Sequence, residues 1–216
     1  MRLITASVFH RRINCPGSAL LEAQVPSIPA PEALEGSRLH ELLATGQGEE
    51  NADIRWARET VACLVENLLG EGQSETYYEI DLSYGAEYLG RADFVAVNRT
   101  SALIVDYKFY RQENIPPSER QLALLAVGVW DRWCVKKVYA VYVNPLLRAT
   151  SSVYAYDSTN IEEILLTYLE VLVKIKNTPY TQVGPWCLYC RAKCICDSFS
   201  KEVKELWQMG RKIRSG

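Results

Sequence analysis

"GRADFVAVNRTSALIVDYKFY" (Gly90–Tyr110) sets three charged residues, Asp93, Asp106 and Lys108, among apolar neighbours. Asn98-Arg-Thr-Ser101 interrupts two runs rich in β-branched and aromatic residues, so the stretch reads as a hairpin. Counting outward from that turn, Val97 faces Ala102, Val95 faces Ile104, Asp93 faces Asp106 and Arg91 faces Lys108. Opposed residues of an antiparallel pair share a face. Asp106 and Lys108, two apart on one strand, share it as well. Asp93, Asp106 and Lys108 therefore gather on one side of the sheet, and Phe94, Val105 and Tyr107 go to the other. Opposed like charges are destabilising unless a cation lies between them. A hard divalent cation suits such a pair, since Mg²⁺ commonly takes one or two carboxylates. A lysine beside it would orient a water or offset negative charge, which suits attack on a phosphodiester. A plainer reading stays open, with both aspartates as strand-end residues paired to Arg91 and Lys108. The awkward pairing of Arg91 with Lys108 favours the metal.

Outward from the hairpin, "TYYEIDLSY" reads as a preceding strand, and "PPSERQLALLAVGVWDRW" as a following helix. "VKKVYAVYVNP" is a strand ended by Asn-Pro, and "SSVYAYDS" a further short one. "TNIEEILLTYLEVLVKIKNT" is an amphipathic helix with Thr159 or Asn160 as candidate caps. Toward the N-terminus, "NADIRWARETVACLVENLLGEG" has helical periodicity stopped by Gly70 and Gly72. "SRLHELLATG" is a helix starting at Ser37, preceded by a Pro-rich connector and a short helix from Ser18 to Pro26. Helices, a strand meander, helix, strand, helix: this order favours an α/β fold with a mixed sheet.

The chain has 216 residues, 48% hydrophobic and 23% charged, with a formal charge of −2. That suits a single soluble domain and gives no overall basic character; a local basic surface remains compatible with it. No apolar run reaches about 18 residues, so no membrane span is expected, and the N-terminus lacks the pattern of a secretion signal. The expected compartment is the cytoplasm.

Four of the seven cysteines fall between Cys187 and Cys196. In a reducing compartment such a cluster points to a metal site. The C-x₂-C pair Cys187/Cys190 is compatible with zinc or an iron–sulfur cluster. Cys187, Cys190, Cys194 and Cys196 would make a zinc knuckle on their own; ordinary reduced thiols are the remaining reading. Cys63 and Cys134 read as buried thiols.

Asp93 followed by "DYK" (Asp106–Lys108) resembles the signature of the PD-(D/E)XK nuclease superfamily, with the first half relaxed to Gly90-x-x-Asp93 as in RecB-like members. "GSRLHE" carries His40 where that subgroup has a metal-binding histidine. "RQLALLA" carries Gln121 where it has a Gln-x-x-x-Tyr motif, although the tyrosine is Leu125 here. Glu79, on the preceding strand, would either join the site or, on the plainer and favoured reading, stand as a solvated carboxylate. Cys187-x₂-Cys190-x₅-Cys196, with the distant Cys15 of "RINCPGS", resembles the four-cysteine pattern of iron–sulfur RecB-like nucleases, a group that includes CRISPR-adaptation exonucleases and the AddB nuclease domain. "INCPGSALLE" and "WCLYCRAK" are similar to a phage- and prophage-associated family of the same superfamily.

The resemblance implies a restriction-endonuclease-like mixed sheet flanked by helices, as one nuclease domain over 1–216. Within it, 1–30 and 180–200 would form a cysteine lobe and 201–216 a basic tail. It implies Mg²⁺ or Mn²⁺ held by His40, Asp93, Asp106 and the Tyr107 backbone carbonyl. Lys108 would position the water, and Gln121 would orient the site or touch DNA. Cys15, Cys187, Cys190 and Cys196 would bind a [4Fe–4S] cluster, with Zn²⁺ the alternative, leaving Cys194 spare. The expected activity is exonucleolytic hydrolysis of single-stranded DNA or DNA ends, in phage or prophage recombination, repair or processing inside a bacterial host, alongside phage recombination or replication proteins. The alternative is a catalytically degenerate DNA-binding or assembly module. Arg11, Arg12, Arg91, Arg111 and Arg120 are the candidate phosphate contacts, with Lys201, Lys204, Arg211, Lys212 and Arg214 of the tail. Tyr107, Phe109 and Tyr110 are candidate stacking residues.

Overall fold

The computed structural model describes residues 3–27, 31–46, 51–70, 74–110, 118–203 and 205. Arg111, Lys204, Arg211, Lys212 and Arg214 lie outside the described residues. The chain forms two compact units, one from 1–4, 8–28 and 166–216, the other from 5–7 and 29–165. The elements run α1 (Ala6–Asn14), α2 (Ser18–Glu22), α3 (Pro31–Thr45), α4 (Ala52–Leu69), β1 (Glu75–Tyr84), β2 (Glu87–Val97), β3 (Ser101–Tyr107), α5 (Glu119–Trp133), β4 (Lys137–Asn144), β5 (Ala149–Thr150), β6 (Tyr154–Tyr156) and α6 (Ser158–Asn177). No helix among the described residues is long and apolar enough to cross a membrane.

The second unit carries a mixed sheet in the order β1-β2-β3-β4-β5, with β6 also paired to β4. β1, β2 and β3 form an antiparallel meander, and α5 carries the chain across to β4, which lies parallel to β3. The meander's second turn is set by Asn98. Its side-chain oxygen accepts the Thr100 and Ser101 N–H groups at 2.9 and 2.8 Å, and its own N–H reaches the Ser101 carbonyl at 2.9 Å. The turn fixes the register as expected from the sequence: Val97 opposite Ala102 and Val95 opposite Ile104.

Each face of this sheet is covered. Phe94, Leu103, Val105, Tyr107, Val141 and Val143 pack with Leu39, Leu42 and Leu43 of α3 and Ile54, Ala57 and Val61 of α4. The intervening residues face α5, whose positions from Leu122 to Val129 are all buried, as befits a helix apolar on every side. α5 approaches β1 so closely that a Cβ on Gly128 would meet the Leu82 Cβ at 2.8 Å. β3, between two strands and under helices on both faces, is buried from Ala102 to Tyr107. This explains its run of apolar residues.

Several local expectations are corrected. α3 begins at Pro31, inside the stretch read as a connector. α6 is capped by Asp157, whose carboxylate accepts the Thr159 and Asn160 N–H groups at 3.0 and 3.2 Å. Thr159 and Asn160 instead lie within the first turn. α1 has no counterpart in the sequence reading, although its Ala6, Phe9 and Ile13 keep helical spacing. Cys63 and Cys134 are exposed. The buried face of α4 runs through Ile54, Ala57 and Val61, so Cys63 points elsewhere, and Cys134 is the left-handed residue that ends α5.

Candidate active site and cysteine lobe

The β2–β3 ladder stops at Phe94 and Val105. Beyond it, the Asp93 carboxylate takes the place of a backbone partner and accepts the Tyr107 N–H at 2.7 Å. On its other side β3 stays paired with β4, and the Lys108 N–H extends that ladder by donating to the Val143 carbonyl at 2.9 Å. The expected pairing of Arg91 with Lys108 therefore does not form. Arg91 pairs with Asp81 on β1 at 3.0 Å.

Asp106 is 3% exposed on the central strand. Gln121, in the first turn of α5, donates its amide N–H to one Asp106 oxygen at 2.6 Å. The Lys108 ammonium forms an ion pair with the other oxygen and donates to Gln121 Oε1 at 3.2 Å. Asp106, Lys108 and Gln121 thus form a closed triangle. From α3, His40 brings Nδ1 to 3.3 Å from Asp93 Oδ1, its ring set edge-on to Phe109 with centroids 4.9 Å apart. Burial holds the His40 imidazole below its ordinary range, so it is neutral near pH 7. Burial first, and then the charge of Asp106, push the Asp93 carboxyl up to about 8. The expected cross-strand pairing of Asp93 with Asp106 does not form, but the two aspartates still repel, and that repulsion favours retention of a proton on Asp93.

Glu79 was read as a solvated carboxylate. It is exposed, yet its charge raises the pKa of Asp93 and His40. It stands opposite Asp93 in a gap of the β1–β2 ladder, between the Tyr78–Phe94 and Ile80–Ala92 pairs. Its backbone is left-handed, with φ 47°, an uncommon state for a non-glycine residue. Leu125, where the motif tyrosine is absent, is fully buried, and its Cδ2 lies 3.2 Å from where a Cβ on Gly90 would sit. The position is core, and the chain needs glycine at residue 90 to admit it. Tyr107 is buried as well, while Phe109 and Tyr110 are half-buried.

The four cysteines lie in the first unit. Cys15, Cys187, Cys190 and Cys196 line one small cavity of about 10 Å³, partly open to solvent; Cys194 is exposed. The two ends of the chain are held together here by hydrogen bonds. The Gly17 N–H donates to the Tyr180 carbonyl at 2.8 Å, and the Arg191 N–H to Glu22 at 2.9 Å. Glu22, 2% exposed, also binds Arg12 at 2.8 Å and Arg11 at 3.2 Å. Arg11 and Arg12, expected as phosphate contacts, are thus engaged by a buried carboxylate. Arg120 is exposed in the first turn of α5.

A model of the PD-(D/E)XK nuclease superfamily matches residues 17–197, spanning His40, Asp93, Asp106, Lys108 and Gln121. The chain belongs to that superfamily. No curated protein sequence matches it. Among solved structures, it is similar to SSO0001 at 16% identity, over 88% of this chain and 85% of that one, with a TM-score of 0.48. It is similar to an alkaline exonuclease from Laribacter hongkongensis at 12% identity, over 81% and 89%, with a TM-score of 0.38. A phage-related exonuclease from Haemophilus somnus 129PT aligns at 11% identity, over 80% and 92%, with a TM-score of 0.36.

PD-(D/E)XK nucleases generally use a divalent metal such as Mg²⁺. Among the described residues, no three His, Cys, Asp or Glu side chains are arranged to hold a metal ion. Two buried atoms at the site nevertheless have only an ionic neighbour and no hydrogen bond of good geometry: His40 Nδ1 beside Asp93, and Asp106 Oδ2 beside the Lys108 ammonium. Buried polar atoms left without hydrogen bonds are costly. A neutral imidazole and two carboxylates are the donors a divalent cation takes. The residues present fit the metal.

Proposed function

We propose that the protein is a metal-dependent deoxyribonuclease acting at Asp93, Asp106, Lys108 and Gln121. The observation that carries this reading is the pair of repelling carboxylates at the end of the β2–β3 hairpin, with the buried His40 Nδ1 set against Asp93 and Lys108 paired to Asp106. His40, Asp93, Asp106 and the Tyr107 carbonyl would hold Mg²⁺ or Mn²⁺. When bound, the ion supplies Lewis-acid polarisation of the phosphate and acidifies a nearby water.

The chain's own groups do the rest. Asp93 gives up its retained proton when a cation occupies the site. Gln121 holds one Asp106 oxygen and so fixes the rotation of that carboxylate. The Lys108 ammonium, steadied by Gln121, offsets charge developing on the phosphate and orients the attacking water. Arg91 and Arg120 are the exposed cations available to DNA phosphates. Exonucleolytic action on single strands or ends, within phage or prophage DNA processing, is the finer form of this proposal.

The second part concerns the first unit. Cys15, Cys187, Cys190 and Cys196 line one small cavity and would be the thiolate donors of a [4Fe–4S] cluster, or of Zn²⁺. Burial pushes the Cys190 thiol up, and the charge of Arg11 works against that rise. Protein purified without oxygen would be brown with an absorbance near ~400 nm if the cluster is present; a colourless, zinc-loaded sample would select zinc. The nuclease reading is tested with end-labelled linear and closed circular DNA in Mg²⁺ or Mn²⁺. Digestion of the linear form alone is expected. Nicking of the circle would remove the exonuclease form, and no cleavage of either would remove the nuclease.

A further inference from the structure

Asp106 and Tyr142 are cross-strand neighbours in the parallel β3–β4 pair. Tyr142 is 3% exposed, and its backbone is pinned on both sides of the peptide by Ser151, whose hydroxyl accepts the Tyr142 N–H and whose N–H donates to the Tyr142 carbonyl, each at 3.0 Å. The side chain touches two structures that meet at the site. Its ring lies under the Lys108 ammonium, with Nζ 5.1 Å from the ring centroid. Its hydroxyl donates to the Ser118 carbonyl at 2.7 Å. Ser118 is the N-cap of α5, and the same carbonyl accepts the Gln121 N–H at 3.0 Å. One side chain therefore bears on both partners of the Lys108–Gln121 hydrogen bond.

We propose that Tyr142 is a positioning residue of this site, setting the spacing of Lys108 and Gln121 by carrying the ammonium on its ring and anchoring the start of α5 with its hydroxyl. The proposal rests on the nuclease reading for its effect on rate, but its effect on placement is independent of it. The hydroxyl remains a donor throughout the working range, because burial and the charge of Asp106 push its pKa upward. A cation over an aromatic face is attracted by the ring quadrupole. The ring thus restrains a flexible lysine without competing for its hydrogen bonds to Gln121 and Asp106. Phenylalanine at this position keeps the ring and loses the anchor; leucine loses both.

The test compares wild type, Tyr142→Phe and Tyr142→Leu, each shown to be folded by circular dichroism. On single-stranded DNA with Mn²⁺, Tyr142→Leu should lower kcat about 10- to 100-fold, the scale of a small misplacement of reacting groups. Tyr142→Phe should lower it about 3- to 10-fold, the scale of one lost hydrogen bond. KM and Mn²⁺ affinity should be unchanged in both. Placement is read without catalysis in two ways. Exchange of the Gln121 amide should accelerate in Tyr142→Phe and Tyr142→Leu, and labelling of the Lys108 amine by an acylating reagent should accelerate in Tyr142→Leu alone. Wild-type kcat in both variants overturns the proposal, as do unchanged exchange and labelling. If wild type cleaves nothing, the nuclease reading fails, and the exchange and labelling results still decide whether Tyr142 places the pair.

Discussion

Asp93 is the residue at which protonation, stability and the proposed metal site meet. Its carboxyl is raised from 3.8 to about 8 in the folded chain. The folded protein then holds a proton that the unfolded chain releases over this interval. Stability of the metal-free protein should fall as pH rises from 4 to about 8, and be flat above that for this group. Melting curves in EDTA across this range should show the decline in wild type and lose it in Asp93→Asn. That variant should be the more stable protein at pH 8 and catalytically dead. Since a cation must displace the same proton, Mn²⁺ affinity should climb with pH up to about 8. Glu79→Gln removes a charge that raises Asp93, so the midpoint of that climb should move to lower pH; an unmoved midpoint in calorimetric titrations would take Glu79 out of the site. The aspartates and the lysine were legible in the sequence because strand register is arithmetic. Tyr142 was not, since its partners Lys108 and Ser118 come from separate elements and no local pattern records that meeting.

At the scale of the element, α5 explains the departure from the Gln-x-x-x-Tyr motif. Gln121 lies at the exposed start of the helix, and Leu125, one turn on, is already in the core against Gly90. Restoring the motif by Leu125→Tyr should destabilise the protein by about 1–3 kcal/mol through overpacking without raising activity. Denaturant unfolding and kcat measure the two parts, and a gain in kcat with unchanged stability would show that the position reaches substrate. The hairpin from Gly90 to Tyr110 folds as its alternation requires, as far as the ladder runs. The count failed from Asp93 outward because it assumed that the strands stay paired. The side chain of Asp93 captures the Tyr107 N–H, and that ends the ladder. Helix starts were the least legible feature: Asp157 and Thr159 are both good caps by composition, and only the folded backbone chooses between them.

For the molecule as a whole, the pairing of distant Cys15 with Cys187, Cys190 and Cys196 around one cavity came from family resemblance, since no local rule joins residues so far apart. What the sequence hid is the Glu22 network, in which one buried carboxylate holds Arg11, Arg12 and the Arg191 N–H. Glu22→Ala leaves the buried Arg12 and the partly buried Arg11 without their counter-ion, a class of change that costs about 3–5 kcal/mol. Amide exchange at Gly17 and Arg191 should lose protection in that variant, and unchanged protection would mean that the network contributes little.

The most direct measurement of the central claim is the initial rate of nucleotide release from single-stranded DNA, titrated with Mn²⁺, for wild type, Asp106→Ala and Lys108→Ala. The account predicts saturable, EDTA-sensitive release by wild type and loss of at least about 100-fold in each variant. Release that persists in both variants, or that needs no divalent ion, would contradict it.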